Sequence, residues 1–313
     1  MADEPSTTEV QEYYKLINAG GNHYDIGRKM TDAFTPALHK RLSLPPDPAL
    51  LENALRAADG VFDLHPVLKD ELQGIAEGIS IEFEAMLVET SDFRAGPTHS
   101  MTVLAREGNS LIVGRSFSGP PSTYVRNLLR LDPNDSYASL GRMSGYFGGT
   151  WESIGVYGQF VCADILSANS GPRQGPAAYM VPRIITESSK SIETAVEKMK
   201  SVVPMHDSSY IITGSGRAYM YVAQGGRASM EEITAFPFVA VNGRRLGAPG
   251  EVSGKDGGRA VLSRHDMGGC LHGAETETLY SLIVDMGSEE IEYSNGAPCT
   301  AGFNKVDWPG GYG

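Results

Sequence analysis

A chain of 313 residues, 41% of them apolar and 20% charged, has the material for a sizeable core and the composition of an ordinary globular protein. Its net charge of −12 excludes a nucleic acid as the natural partner, because phosphates demand a basic face, and disfavours an anionic membrane surface for the same reason. No apolar run approaches the ~18 residues that cross a bilayer, and the opening MADEPSTTEVQE has neither the basic nor the apolar region of a secretion signal.

The three cysteines, Cys162, Cys270 and Cys299, form no CxxC pair and no disulfide framework. A reducing, cytoplasmic setting is the expectation. The expected partner is a small-molecule substrate, with no nucleic acid, no membrane and at most a second copy of the chain in a homodimer.

Residues 1–12 read as a flexible tail, and residues 13–313 as one domain. From Tyr13 to Leu42 runs a strand-turn-helix pattern through Gly20-Gly21 and Asp25-Ile-Gly27, broken by Pro45-Pro46. Helical spacing continues over Ala49–Phe62, Pro66–Gly78 and Glu82–Val88. After Gly96 the apolar period changes to two: Met101 and Val103, Leu111 and Val113, then Ser153–Ile165, predict strands separated by glycine turns. Ser167–Gly175 is a polar loop, and Tyr179–Lys200 predicts one long helix. Strands are expected at Ser209–Thr213, Ala218–Ala223, Phe238–Val241, Thr278–Asp285 and Glu290–Ser294. Strand runs flanked by helix groups point to stacked layers, an α+β class, rather than alternating βαβ units.

Several segments share their order with one known family. Glu71-Leu-Gln-Gly-Ile-Ala-Glu-Gly78 is similar to its better-marked helix. Ala95-Gly-Pro-Thr-His-Ser-Met-Thr-Val-Leu104 resembles the strand that begins with its nucleophile, and Gly114-Arg-Ser-Phe117 the end of the next strand. Gly158-Gln-Phe-Val-Cys-Ala-Asp164, Val239-Ala-Val-Asn242, Thr278–Asp285 and Gly296-Ala-Pro-Cys299 come next in sequence. Together these resemble the isopenicillin N acyltransferase (C45-like) group of N-terminal-nucleophile hydrolases. The resemblance implies a four-layer αββα sandwich.

The departures are as informative as the matches. Where the family places its cysteine this chain has Thr98, or Pro97 on another alignment, and no cysteine stands before Cys162. The Asn-aromatic-Asp of the next strand reads Ser116-Phe117-Ser118, and an expected asparagine is Asp164. In scaffold and missing nucleophile the chain is also similar to the bacterial enzymes that form β-carbolines by Pictet–Spengler cyclisation.

This pattern sets the candidate residues. Asp164, on an apolar strand, is expected to have a raised pKa suited to proton abstraction, with Glu152 of Gly148-Gly-Thr-Trp-Glu152 as a second acid. His99 is a candidate proton shuttle, although alternation sends it to the face opposite Thr98. Arg115 is expected to hold a substrate carboxylate in a fork, beside Phe117. Asn242 is expected to donate to a developing charge, though Asn-Gly is equally a hairpin turn.

The first functional expectation is an enzyme of small-molecule biosynthesis using acid/base chemistry without a covalent nucleophile, of the Pictet–Spengler type. The second is an amidohydrolase or acyltransferase with Thr98 as nucleophile. The third is a binding protein without turnover. No cofactor is expected. His265, Cys270, His272 and Cys299 lack zinc-ligand spacing, so no metal is expected either.

Overall fold

The computed structural model describes residues 16–34, 47–90, 98–119, 127–143, 148–167, 174–247, 252–273 and 275–310. β1 (Leu16–Gly21) leads into α1 (His23–Met30), whose first turn is capped by the Asn22 side chain accepting from the Asp25 amide. α2 (Pro48–Leu64) opens on an Asp47 cap with proline in its first turn, where a missing N–H costs nothing. α3 (Leu68–Gly78) and α4 (Phe83–Thr90) complete the group.

α1 and α3 cross in close contact, and the glycines of the two early motifs are the reason. A Cβ on Gly27 would lie 2.0 Å from the Glu71 carbonyl oxygen, and one on Gly74 would lie 2.1 Å from that of Tyr24. Only glycine lets the two backbones meet there.

The first sheet is antiparallel throughout. Its order is β12 (Arg244–Leu246), β11 (Phe238–Val241), β2 (His99–Glu107), β3 (Ser110–Gly119), β13 (Glu277–Asp285), β14 (Glu290–Asn295) and β15 (Asn304–Val306). The second runs β1, β4 (Leu128–Pro133), β5 (Ser139–Met143), β6 (Thr150–Gly155), β7 (Phe160–Ser167), β8 (Asp207–Gly214), β9 (Arg217–Gln224) and β10 (Arg227–Glu232), with only the β1–β4 pair parallel.

Alternation along β2 assigns its faces. Met101, Val103 and Ala105 pack with Val261 and Leu262 of α7 (Gly254–Leu262), while Leu104 joins the core between the sheets. Thr102 lies on that inner face, 3.7 Å from Cys162 of β7. On the far side of the second sheet lie α5 (Val181–Glu187) and α6 (Ile192–Ser201). The order is therefore helix, sheet, sheet, helix: an α+β, αββα sandwich, as the resemblance implies. Among the described residues no helix is long and apolar enough to cross a membrane.

The single helix expected over Tyr179–Lys200 is two. A 3-10 turn at Ala178–Met180 enters α5, and Ser191 restarts the chain as α6. Its hydroxyl accepts from the Thr194 amide at 3.3 Å while Thr194 Oγ1 accepts from the Ser191 amide at 3.1 Å. Ser188, which donates to the Ile184 carbonyl, and Ser191 serve the backbone as caps, so the apolar period spans a break it does not reveal. β4, β5, β10, β12, β15 and the glycine-rich α7 also escaped the pattern. β10 escaped because it is an exposed edge with little apolar alternation.

Arg183 of α5 anchors the early helices to this framework. Its guanidinium donates to Glu71 at 2.6 and 2.5 Å, to Glu187 at 2.6 Å and to the Gly148 carbonyl at 2.7 Å, all buried. His23 adds a 2.9 Å contact to Glu71, and His65 a 3.4 Å contact to Glu187. Burial alone would raise the Glu187 carboxyl, but Arg183 and His65 hold it down at about 2. Burial opposes the lowering at Glu71 too, and there Arg183 and His23 prevail.

A carboxyl whose folded pKa lies below its unfolded value gives stability that is complete above the unfolded pKa and lost as pH falls toward the folded one. The thermal midpoint is therefore expected to decline as pH drops from about 5 to about 2. A midpoint that stays level across that window would show that this network adds nothing to stability.

Candidate active site

At one end of the sandwich β2, β6, β8 and β13 begin while β3, β5 and β7 finish, as the pairs His99↔Ser118, Met143↔Thr150 and Ser167↔Asp207 require. Three strands change register at this end: β13 between Thr278 and Tyr280, β7 between Ile165 and Ser167, and β5 between Gly141 and Met143. Such bulges re-aim side chains and are common beside active sites. Most of the sequence-predicted residues converge here.

The centre is a buried ion pair joining the two sheets. Arg115 of β3 donates from Nη2 to Asp164 Oδ1 of β7 at 3.0 Å and from Nη1 to Oδ2 at 3.2 Å. Its other donors go to Thr102 Oγ1 and the Ala163 carbonyl, each at 2.8 Å, and Nε faces Glu152 Oε2 at 3.4 Å. Five N–H groups are thus directed at protein, and the side chain is 0% exposed. The four Nη hydrogens of Arg115 are taken by protein, and only Nε, buried beside Glu152 without a hydrogen bond to any described residue, stays uncommitted. The fork expected for substrate is closed on Asp164 instead.

Asp164 is equally committed. Besides the guanidinium it accepts from Thr98 Oγ1 at 3.0 Å and from Ser100 Oγ. Three of these four bonds crowd onto Oδ1 and one falls on Oδ2, which holds the carboxylate in place on both sides. The apolar setting anticipated from Phe160, Val161 and Ile165 is not what its side chain meets, because strand alternation aims it at the polar inner face of β2. As a free general base Asp164 is displaced by its own partners.

Glu152 of β6 is differently placed. Its Oε2 accepts from the Tyr280 hydroxyl, while Oε1 is buried with no hydrogen-bond partner among the described residues. Burial raises its pKa, with Arg115, Tyr280 and Arg142 opposing. Around it stand flat rings. Phe117 lies 5.1 Å from Trp151 and 5.7 Å, stacked, from Tyr280; Trp151 lies 5.8 Å from Tyr179. Arg142 sits 4.0 Å over the Tyr280 ring. Phe117, expected to touch substrate, is thus part of this aromatic cluster and only 3% exposed.

Asn242 and Gly243 form the two-residue turn between β11 and β12, with φ of +50° and +69°. The turn also reaches the site. Asn242 Oδ1 accepts from the Ser100 amide at 2.9 Å, and its Nδ2 is not engaged by any described residue. A Cβ on Gly243 would lie 2.1 Å from Ser209 Oγ and 2.9 Å from Asp164 Cβ. The tip of one sheet therefore rests directly on the other.

His99 is exposed at the head of β2, on the face away from Thr98 and Ser100. No contact brings it to Glu152 or Asp164, so the shuttle role expected of it has no geometry behind it. Strand alternation decided this. Thr98 itself is buried, with its amide donating to the Ile165 carbonyl at 3.4 Å. The Pro97–Thr98 bond lies outside the described residues.

Ser100, Thr102 and Tyr280 were missed by sequence reasoning. Thr98, Ser100 and Thr102 recur at period two, and a polar stripe on one face of a mostly buried strand was the available signal. Buried Cys162 offers no replacement nucleophile, since burial pushes its thiol up to about 11. Away from this cluster, the four residues set aside for want of ligand spacing meet in space: one donor atom from each of His265, Cys270, His272 and Cys299 lies within 4.8 Å of the others. Spacing misled because the donors come from separate loops.

Residues 105–239 match the family described as acyl-coenzyme A:6-aminopenicillanic acid acyl-transferase, a span just under half the chain. No curated protein matches. Among solved structures, penicillin V acylase from Agrobacterium tumefaciens is similar at 12% identity and a TM-score of 0.46, covering 66% of this chain and 86% of its own. A variant of the conjugated bile acid hydrolase from Clostridium perfringens is similar at 10% identity and a TM-score of 0.41, covering 67% and 97%. The Caenorhabditis elegans ortholog of N-acylethanolamine-hydrolyzing acid amidase reaches 12% and 0.40, covering 60% and 93%.

Asp164→Asn is nearly isosteric but removes the carboxylate bonded in the fork, leaving the Arg115 charge only Glu152 at 3.4 Å. Uncoupling one partner of a buried pair costs ~3–5 kcal/mol. At ~2–4 °C per kcal/mol in a protein of this size class the thermal midpoint should fall by roughly 6–20 °C. An unchanged midpoint would mean that the pair does not hold the sheets together.

Proposed function

We propose that this chain is an enzyme of small-molecule metabolism that moves protons in the aromatic-lined region between its sheets, with Glu152 as the proton carrier and no covalent intermediate. One observation carries the reading. Glu152 is a buried carboxyl with one oxygen anchored by Tyr280 and the other without a hydrogen-bond partner among the described residues, and a buried polar atom left so is costly unless it serves something. Burial keeps its acid form present at higher pH than is usual for a glutamate, which suits a group that must first give and then take a proton.

The reaction class that fits best is condensation of an aromatic amine with an aldehyde, then ring closure. The amine adds to the carbonyl to give a carbinolamine. The Glu152 proton passes to its oxygen and water leaves, giving an iminium ion. The aromatic ring carbon then attacks the iminium carbon, and the Glu152 carboxylate takes the ring proton, restoring both the ring and the acid. Each cycle forms one C–N and one C–C bond and releases one water. Trp151, Tyr179, Phe117 and Tyr280 supply flat faces against which such a ring stacks.

A second reading, an amidohydrolase or acyltransferase working through Thr98, is favoured by the family match and by the hydroxyl at the head of β2 with the Asn242 amide close by. It requires cleavage between Pro97 and Thr98, which frees an amine to act as base. Against it, the Thr98 hydroxyl already donates to Asp164 Oδ1, which also accepts from Ser100 and Arg115.

The readings separate in two measurements. Under the first, the purified chain has the intact mass of 33.6 kDa, and tryptamine or tryptophan with an aldehyde gives a cyclised product. Glu152→Gln should cost ~10²–10⁴-fold in kcat, and Thr98→Ala less than about tenfold. A cut chain, hydrolysis of acyl amides and a loss of ~10³-fold or more in Thr98→Ala would establish the second reading in its place.

A further inference from the structure

The second constellation lies at the same end of the first sheet but outside the inter-sheet cluster. His265 stands in the turn after α7, Cys270 and His272 on the way into β13, and Cys299 in the turn between β14 and β15. Cys270 Sγ is 3.3 Å from Cys299 Sγ and 3.3 Å from His272 Nε2, which is itself 3.0 Å from Cys299 Sγ. The His265 ring meets that of His272 edge-on at 5.1 Å between centroids.

A tetrahedral zinc with Zn–S of ~2.3 Å and Zn–N of ~2.0–2.1 Å sets its ligand atoms about 3.8 Å (S to S) and about 3.6 Å (S to N) apart. The observed separations differ by a few tenths of an ångström, a displacement that side-chain torsions absorb. We propose that His265, Cys270, His272 and Cys299 form a Cys2His2 zinc site.

Three features support this. Two thiolates and two imidazoles are the soft, tetrahedral donor set that selects zinc over calcium or magnesium. The ligand loops are shaped by their own backbone bonds. The Gly269 and Cys270 amides donate to the Arg264 carbonyl at 3.1 and 3.2 Å, Leu271 and Thr278 exchange two bonds, and Ala301 closes the Cys299 turn onto Ala297 at 2.8 Å. Burial is graded too: Cys270 is buried while the other three are exposed, so an ion reaches the site from solvent and is held against the sheet.

The contrast with His23, His65 and Glu187, whose donor atoms also converge, is instructive. There the Arg183 guanidinium already bonds Glu187 at 2.6 Å and would repel a cation. Four protein ligands leave no open position, so the site is structural rather than catalytic. It would staple the α7–β13 connection to the β14–β15 turn. Thr278, which accepts from Leu271 at 2.8 Å, also lies 3.1 Å from Ser118 at the end of β3, so the staple bears on the edge of the candidate active site.

The test uses the full chain, kept reduced, incubated with zinc and then desalted. About one zinc per chain should remain. Cobalt(II) in its place should give a thiolate-to-metal charge-transfer band with the intense ligand-field bands of tetrahedral coordination. Cys299→Ser and His272→Ala should lose the metal or the tetrahedral spectrum, while Cys162→Ser keeps both. Zinc should also raise the thermal midpoint of the reduced protein and shield two of its three thiols from modification. Trace metal only, an octahedral cobalt spectrum, or metal content indifferent to Cys299→Ser would each overturn the proposal. So would a Cys270–Cys299 disulfide that forms readily in zinc-loaded protein.

Discussion

The arrangement depends on one buried guanidinium. Arg115 reaches from β3 across the gap between the sheets and closes on Asp164, and it has no solvent to fall back on. Its four Nη hydrogens are met by protein, and the inner faces of three strands are written accordingly. Thr102 accepts from it, Ala163 presents a carbonyl, and Thr98 and Ser100 complete the shell of the carboxylate it charges against. A well-satisfied polar network of this kind fixes register as well as distance, because sliding either sheet by one residue would strand several charges in the core.

Glu152 inherits its character from the same pair. It stands on the far side of the guanidinium, close enough to feel the charge but not bonded to it in the fork, and Tyr280 takes only one of its oxygens. Two carboxyls thus share one cation unequally: Asp164 takes the fork and two hydroxyls, while Glu152 takes neither. Assigning acid and base roles by such inequality is a general feature of sites with paired titratable groups. Arg183 repeats the device behind the second sheet, where Glu71 and Glu187 both hydrogen-bond it directly and both are held low. Direct bonding of both carboxylates suits an anchor; at Arg115 only one of the two is bonded, which leaves a reactive group.

The layers, most strands and the early helices were legible because burial on one face imposes a period, and the period survives in the sequence. The break at Ser188–Ser191 was not, since capping is a local hydrogen-bonding choice that the apolar stripe runs straight through. Asp164 and Arg115 were picked out by position, yet their roles were misjudged. Along the sequence each is a lone charge, and only pairing across the gap reveals that each consumes the other. Glu152, ranked second, gained from what it lacks. Cys270 and Cys299 were discarded because linear spacing detects ligands on one turn, whereas these are brought together by two separate connections of one sheet.

The anchoring of the early helices has a bearing on what a cut in this chain would look like. β1 pairs with β4 along its whole length, and His23 and Glu71 reach residues 136 and 183. All of these links join the part of the chain before Thr98 to the part after it, and none of them needs the peptide bond between the two. The described residues before Thr98, 16–34 and 47–90, are in effect a bound subunit that happens to share a backbone. Were that bond opened, the halves would travel together through gel filtration and melt as one. Covalent continuity and structural integrity are separate properties in this fold.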